Sequence, residues 1–446
     1  MDILSTNYTN TINNKMVATM DHEYVFHSWS IQENLKPLVI KSGKGSIIWD
    51  FDGNEYLDFS SQLVNTNIGH QHPKVVQAII DQAQELATIA PSTANLSRNE
   101  AAKRIVELAP AGFKKVFFTN AGADANENAI RMARLFTGRT KVLSSYRSYH
   151  GNTGAAIAAT GDSRRIPNEY AFGHVHLFSP YLYRSEFYAT NEDEECERAL
   201  QHLKTVIDSE GPSSIAAILL ESIPGTAGIM VPPRNYLQGV RELCNTQGIV
   251  LILDEVMAGF GRTGKWFAFE HFGVVPDLIT FAKGVNSGYI PVGGVILSDK
   301  ISDYFDARFF PGGLTYSGHP LAMASIVATI DAMKEENILD NVEYIGTKVL
   351  EPGLKALAEK HTIIGEVRGV GVFWAIELVK SKQTKERLTV QIMNDIKKRC
   401  AKKGLITFIT DNRIHVVPPC VVNEAEVLQA LKIYDEVLTE VCQQLT

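Results

Sequence analysis

Ile249-Val-Leu-Ile-Leu-Asp254-Glu255-Val-Met-Ala-Gly259-Phe260-Gly261-Arg262-Thr263-Gly264 decides the fold, because an uninterrupted apolar run ends in two carboxylates and a glycine-rich turn. A strand that is apolar at every position is buried on both faces, as in a parallel sheet covered by helices. Four other runs have the same character: Val142 to Ser144, Ile215 to Leu220, Leu278 to Phe281 and Val292 to Leu297. Helical segments separate several of them, which predicts an α/β domain with a mostly parallel sheet sandwiched by helices. Lys115 to Phe118 reads as a further short strand, and Asp124 to Thr137 as a helix with Ala129, Met132, Ala133 and Phe136 on one face.

Outward from this centre the pattern changes at both ends. Upstream, Lys74 to Leu86 reads as a helix, and Ser46 to Asp58 as a hairpin of two alternating runs around a Gly-Asn turn. Met1 to Glu23 is polar and Asn/Thr-rich and reads as a loosely ordered arm. Downstream of Pro320 a helix to Lys334 leads into strands at Ile363 to Arg368 and Val372 to Leu378. A helix from Val390 to Lys403 and strands at Leu405 to Ile409 and Ile414 to Val417 follow. The last helix opens with Asn423 and Glu426 at capping-box spacing, and Val427, Leu431, Tyr434, Leu438 and Val441 form its stripe. The expected division is 1–60, arm and small-domain hairpin; 61–325, large α/β domain; and 326–446, a smaller α+β domain.

Composition narrows the partners. Of 446 residues, 43 are Lys or Arg and 50 are Asp or Glu, a net charge of −7 with no concentrated basic tract, so neither nucleic acid nor an anionic membrane is expected. The longest apolar runs fall far short of the roughly 20 residues of a spanning helix. Cys196, Cys244, Cys400, Cys420 and Cys442 are odd in number and lack any Cys-x-x-Cys pair. They read as reduced thiols, not a metal cluster or disulfide framework, and with no charged and apolar leader the expected location is the cytoplasm.

The chemistry gathers at strand ends. In open α/β sheets ligands collect beyond the carboxyl ends of the strands, where Asp254 stands. Alone, Asp254 would serve equally well as a turn cap or an arginine's partner. Lys283 follows the Leu278 to Phe281 run and enters a glycine-rich turn, where desolvation can free an amine to attack a carbonyl. An Asp to hold a protonated pyridine nitrogen and a Lys to bind an aldehyde are the two demands of pyridoxal phosphate. Thr119 to Asp124, between a strand and a helix, offers backbone N–H groups to a phosphate, and Tyr149 lies among glycines beside His150 and Gly151.

Together, Asn120 to Ala129, Ser148-Tyr-His-Gly151, Asp254 to Gly264, Phe281-Ala-Lys-Gly284 and Thr315-Tyr-Ser-Gly-His-Pro320 resemble the class III pyridoxal-phosphate-dependent aminotransferases of fold type I, including the ω-amino acid transaminases. The resemblance runs from about Trp29 to the last helix. It implies that Lys283 carries the cofactor covalently and then moves a proton between donor and cofactor, while Asp254 keeps the pyridine nitrogen protonated. It assigns phosphate contacts to Gly122 and Ala123, ring stacking to Tyr149, and further cofactor contacts to His150, Val256 and Glu221. Thr315 would reach the partner subunit's phosphate, which implies a homodimer or a tetramer built from it. The chain departs from the family pattern at Asp124, where Glu is usual, and at Glu221-Ser222, where Glu-Pro is usual.

Aminotransfer further implies an amine donor and a 2-oxo acid acceptor, whose carboxylate calls for an arginine. Arg413 is one candidate; relatives specialised for α-carboxylates carry arginine where this chain has His415. Arg164 and Arg165 are a second pair of candidates, with Arg165 the one expected at the substrate. Phe26, Trp29 and Leu63 resemble the donor-side wall of ω-transaminases. The resemblance is greatest to transaminases for taurine and similar ω-amino acids, with 2-oxoglutarate or pyruvate as acceptor. A racemase, an aminomutase or a decarboxylase on the same scaffold is the alternative reading.

Overall fold

Successive residues of a strand face opposite ways, so a strand apolar throughout must supply two cores. The computed structural model, which describes residues 12–168 and 171–445, shows this division. Ala217, Leu219, Val250 and Ile252 pack under the Gly122–Thr137 helix, against Ala129, Met132 and Ala133. Their neighbours Ile218, Leu220, Leu251 and Leu253 point into a second core with the Glu192–Glu210 and Tyr236–Gln247 helices.

The central sheet has seven strands: β1 Phe113–Thr119, β2 Lys141–Ser145, β3 His174–Leu177, β4 Ile215–Glu221, β5 Val250–Asp254, β6 Leu278–Phe281 and β7 Gly293–Ser298. Their spatial order is β1-β7-β6-β5-β4-β2-β3. The neighbours from β6 through β3 pair in parallel, and β7 alone runs antiparallel to its two neighbours. The sheet is thus mostly parallel, with helices on both faces. Register places Glu221 beside Asp254 and Asp254 beside Thr280, so three adjacent strands present polar groups at one carboxyl edge.

The C-terminal part carries its own sheet, in which Phe373–Leu378 pairs with Ile364–Val370 on one side and Arg413–Val416 on the other. The run from Leu405 to Ile409, expected as one strand, is two. Leu405–Ile406 joins the N-terminal hairpin by parallel pairing with Leu57 and Asp58, whereas Phe408–Thr410 pairs with Arg413–Val416. The capping box of the final helix forms in both directions, Asn423 N–H to Glu426 and Glu426 N–H to Asn423 Oδ1.

The expectation of a loose arm is corrected within the described residues. Asn14–Tyr24 is a helix, N-capped by Asn13, whose Oδ1 accepts the Met16 N–H at 3.0 Å. The Asn14 amide also bonds Asp50 and Asp52 at the hairpin turn. Capping and this polar docking hold it in place of an apolar stripe, since none of its residues is buried. The arm's residues 1–11 lie outside the described residues.

Arg262 joins the two parts. It is fully buried, and its guanidinium donates to Pro418 O, to Ser61 Oγ at 3.2 Å and to Asn67 Oδ1 at 2.7 Å. Arg262→Met, which keeps much of the volume, leaves three buried acceptors without this donor. At about 1 kcal/mol or more per abandoned group, stability should drop by about 3 kcal/mol. Calorimetry should register a Tm lower by a few degrees, and an unchanged Tm would refute the bracing role.

Candidate active site

Asp254 is the last residue of β5, and only 3% of it is exposed. A carboxylate so placed requires donors. Its Oδ2 accepts from Asn126 Nδ2 at 2.7 Å and is paired with His150 Nδ1 at 2.8 Å; its Oδ1 accepts the Val256 N–H at 3.0 Å. Strand alternation turns Glu255 away. Glu255 takes the Ser222 hydroxyl and the N–H groups of Ala268 and Phe269, and burial pushes its pKa up to about 7. The two carboxylates adjacent in sequence therefore divide: Asp254 faces the cleft and Glu255 braces the turn behind it.

Glu221, at the end of β4, accepts N–H groups from Gly225 at 2.8 Å and Tyr149 at 3.2 Å. Burial raises its pKa, with Asp254 adding to the effect and His150 opposing it. Just past β6, Lys283 sits in left-handed backbone at φ 47°, a strained conformation for a residue with a side chain. The turn is held by Asn286, whose amide bonds Ile290 O at 2.6 Å and Ser325 Oγ at 3.0 Å. Desolvation lowers the pKa of the Lys283 ammonium, while Asp254 and Glu221 oppose that shift.

These groups line an inner chamber of about 520 Å³, which also takes in Gly122, Ala123, Tyr149, His150, Val256, Trp29 and Leu63. The start of the Gly122–Thr137 helix opens into it with no side chain capping its N–H groups. A Cβ on Gly122 would lie 2.9 Å from the methyls of Val256, so only glycine permits this approach of helix to strand end. Across Lys283 lies an outer chamber of about 850 Å³. Trp29, Leu63, Tyr149, Met257 and Lys283 border both chambers, and Arg164 and Arg413 border the outer one.

The site thus brings together most of the residues expected there, but not all. Phe26 is 85% exposed, Thr315 is also exposed, and neither lines a chamber. Arg165 turns back to Gly161 O and lies over Tyr146. Its neighbour Arg164 enters instead, with its guanidinium 3.7 Å from the Tyr149 ring centroid. His415 is buried and stacked on Phe408, with Nε2 at 3.2 Å from Gly225 O; burial holds its pKa down at about 3, so it brings no charge. Asn126 went unread as a site residue, since an Asn within an amphipathic helix looks like its solvated side. The available signal was its place one turn after Gly122.

Residues 30–438 match the family Aminotransferase class-III. Over 402 residues the chain is 35% identical to a putrescine–pyruvate aminotransferase of Pseudomonas aeruginosa, covering 87% of this chain and 88% of that one. It is 33% identical over 451 residues to a taurine–pyruvate aminotransferase of Bilophila wadsworthia, covering 96% and 98%. Among solved structures, the taurine:2-oxoglutarate aminotransferase of Bifidobacterium kashiwanohense, in complex with PLP and glutamate, superimposes with a TM-score of 0.94 at 42% identity, covering 98% of this chain and all of that one. A strand-edge carboxylate, a desolvated lysine and an uncapped helix start in one cleft are the parts such an enzyme needs, and the chain belongs to the class-III aminotransferases, which depend on pyridoxal phosphate.

Proposed function

We propose that this enzyme moves the amino group of an ω-amino acid or related primary amine, of the kind represented by taurine, β-alanine or 4-aminobutyrate, to 2-oxoglutarate or pyruvate in a ping-pong cycle. The observation that carries this reading is that Lys283 borders both an inner chamber, which takes in Asp254, Glu221 and the start of the Gly122–Thr137 helix, and an outer one bordered by arginines. The relatives and structures named above act on amines and ω-amino acids, and this supports the same donor class here.

The inner chamber fits pyridoxal phosphate. Asp254 offers a carboxylate whose Oδ1 takes only one N–H, the helix start offers N–H groups for a phosphate, and the buried His150 Nε2 lacks a hydrogen-bond partner among the described residues. When bound, the cofactor supplies an electrophilic carbon and a ring that withdraws electrons from the donor's carbon. In our reading Gly122 and Ala123 hold the phosphate, Tyr149 and Val256 flank the ring, and Glu221 and His150 border it. Asp254 keeps a proton on the ring nitrogen. Lys283, with its ammonium pKa lowered by burial, gives up a proton readily and serves as tether and then as base. In the outer chamber Arg413 receives the acid group, opposite the Trp29 and Leu63 wall. Burial of Arg413 is opposed by Asp411, its ion-pair partner at 3.5 Å, and by Glu377 on the neighbouring strand, while its buried Nε lacks a hydrogen-bond partner among the described residues, which leaves capacity for an anion.

The same reading makes the enzyme a homodimer. Thr315 would extend to the partner's phosphate from a face that also exposes Phe309 and Tyr316, apolar surface that a second copy would cover. The division at residues 60 and 325 belongs to this proposal too. It is supported by the Leu405–Ile406 pairing with the N-terminal hairpin and by the helix Pro320–Glu335, which feeds Met323 and Ile326 to one core and Ala332 and Met333 to the other. We place it in the cytoplasm; five free cysteines support a reducing compartment. Among the described residues no helix is long and apolar enough to cross a membrane.

Lys283→Ala should abolish both turnover and the visible absorbance of bound cofactor with unchanged far-UV circular dichroism; surviving turnover would remove the lysine from its role. Asp254→Asn should bind the cofactor yet lose roughly a hundredfold or more in rate, the scale of one preorganised electrostatic contact. Near-normal turnover would contradict its assignment. A screen of amine donors against 2-oxoglutarate and pyruvate should give net amino transfer from an ω-amino acid. Racemisation, isomerisation or decarboxylation without amino transfer would overturn the reading.

A further inference from the structure

Each arginine bordering the outer chamber has a carboxylate, but the carboxylates are unequally shared. Arg147 pairs with Glu186, and Arg164 grips Asp162 through Nε at 3.0 Å to both oxygens. Arg387 and Arg413, by contrast, share the single carboxylate of Asp411, at 2.8 Å and 3.5 Å. The longer contact belongs to the more buried cation, and the buried Arg413 Nε lacks a partner among the described residues. Two guanidinium groups on one carboxylate leave an excess of positive charge beside a cavity, an arrangement completed by an incoming anion.

The backbone fixes where Asp411 stands. Phe408–Thr410 and Arg413–Val416 form a hairpin with Thr410 opposite Arg413, so Asp411 and Asn412 are its two-residue loop. Asp411 holds φ at 57°, a left-handed conformation that Asp and Asn tolerate. Asn412 is buried, and its amide donates to Leu378 O at 2.7 Å, tying the loop to the sheet. Turn geometry accounts for a short polar residue at 411. It does not account for a carboxylate, because asparagine or glycine would suit the turn as well.

We propose that Asp411 is a specificity-determining residue of the outer chamber: it stands in for the substrate's acid group on Arg387 and Arg413, and it can itself receive a distal ammonium. This inference rests on the proposed function, in which the far end of the donor lies in this chamber. An ω-amino acid or a 2-oxo acid must displace Asp411 from the arginines, which costs it affinity. A donor with a second ammonium instead finds an acceptor that would otherwise be absent. One carboxylate thus sets the balance between acid-ended and amine-ended donors.

The test is Asp411→Asn, which keeps the turn and removes the charge, assayed as holoenzyme with 4-aminobutyrate and with 1,4-diaminobutane. The proposal expects KM for 4-aminobutyrate to fall and KM for the diamine to rise, each roughly three- to tenfold, the scale of one partly exposed ion pair. Calorimetric titration with butyrate, which cannot react, should show tighter binding to the variant. KM values that move together, or a butyrate affinity that stays put, would overturn the proposal, because a loosened turn has no reason to favour one donor over the other. If Asp411→Asn unfolds, Asp411→Gly accepts the same backbone and gives the same comparison. Should the wild-type enzyme refuse 4-aminobutyrate and every other acid-ended donor, the donor reading fails; should it use them without the crossover, Asp411 alone loses its role.

Discussion

The site depends on the need to satisfy one buried carboxylate. Asp254 has almost no access to water, and an unpaired charge in that position would cost several kcal/mol. Its donors come from three separate segments: Asn126 from the helix after β1, His150 from the loop after β2, and Val256 from the turn after β5. Asn126 is constrained in turn. Its Nδ2 donates to His150 O as well as to Asp254, which uses both amide protons, and its Oδ1 accepts the Thr280 hydroxyl at 2.7 Å, which holds the amide in one orientation. Meeting these bonds fixes the helix start, the Tyr149 loop and the end of β6 relative to one another.

The second constraint arises eight residues after Asp254, in the same segment. Arg262 is buried among neutral acceptors, with no carboxylate hydrogen-bonded to it among the described residues, so its charge is compensated by Pro418 O, Ser61 and Asn67. Asn67 reciprocates by donating to Phe260 O at 2.8 Å. Pro418 follows shortly after the Arg413–Val416 strand. The segment that presents Asp254 at one end therefore clamps, at its other end, the strand that carries Arg413. The spacing between the inner chamber and the outer chamber's cationic wall is set through covalent chain and buried hydrogen bonds, not through flexible linkers.

Legibility in the sequence followed burial. The buried, largely apolar runs at β4, β5, β6 and β7 matched their strands to within a residue or two, because burial on both faces leaves a plain pattern. The edge strand β3, His-Val-His-Leu, left no such trace, since an edge position does not demand apolar residues. The Asn14–Tyr24 helix was hidden for a related reason: polar docking has no periodicity. Within the site, Lys283 and Asp254 were legible as strand-end residues with matching chemistry. The choice between Arg164 and Arg165 was not, because adjacent positions on a single helical turn point apart and nothing local says which way the cleft lies.

The two chambers differ in how firmly their charges are held, and this separates reaction type from substrate choice. Inside, every oxygen of Asp254 and Glu221 is engaged by a donor, and several of those donors are backbone N–H groups that cannot turn away. Outside, Arg147 and Arg164 hold partners that are themselves partly exposed, and such pairs contribute only about 0 to 1 kcal/mol. A substrate that brings its own charge can therefore rearrange the outer wall at little cost, but it cannot disturb the groups around Asp254. Substitutions that retune the donor are accordingly cheap on the outer wall. Those that alter the chemistry must break a network in which each bond constrains the next.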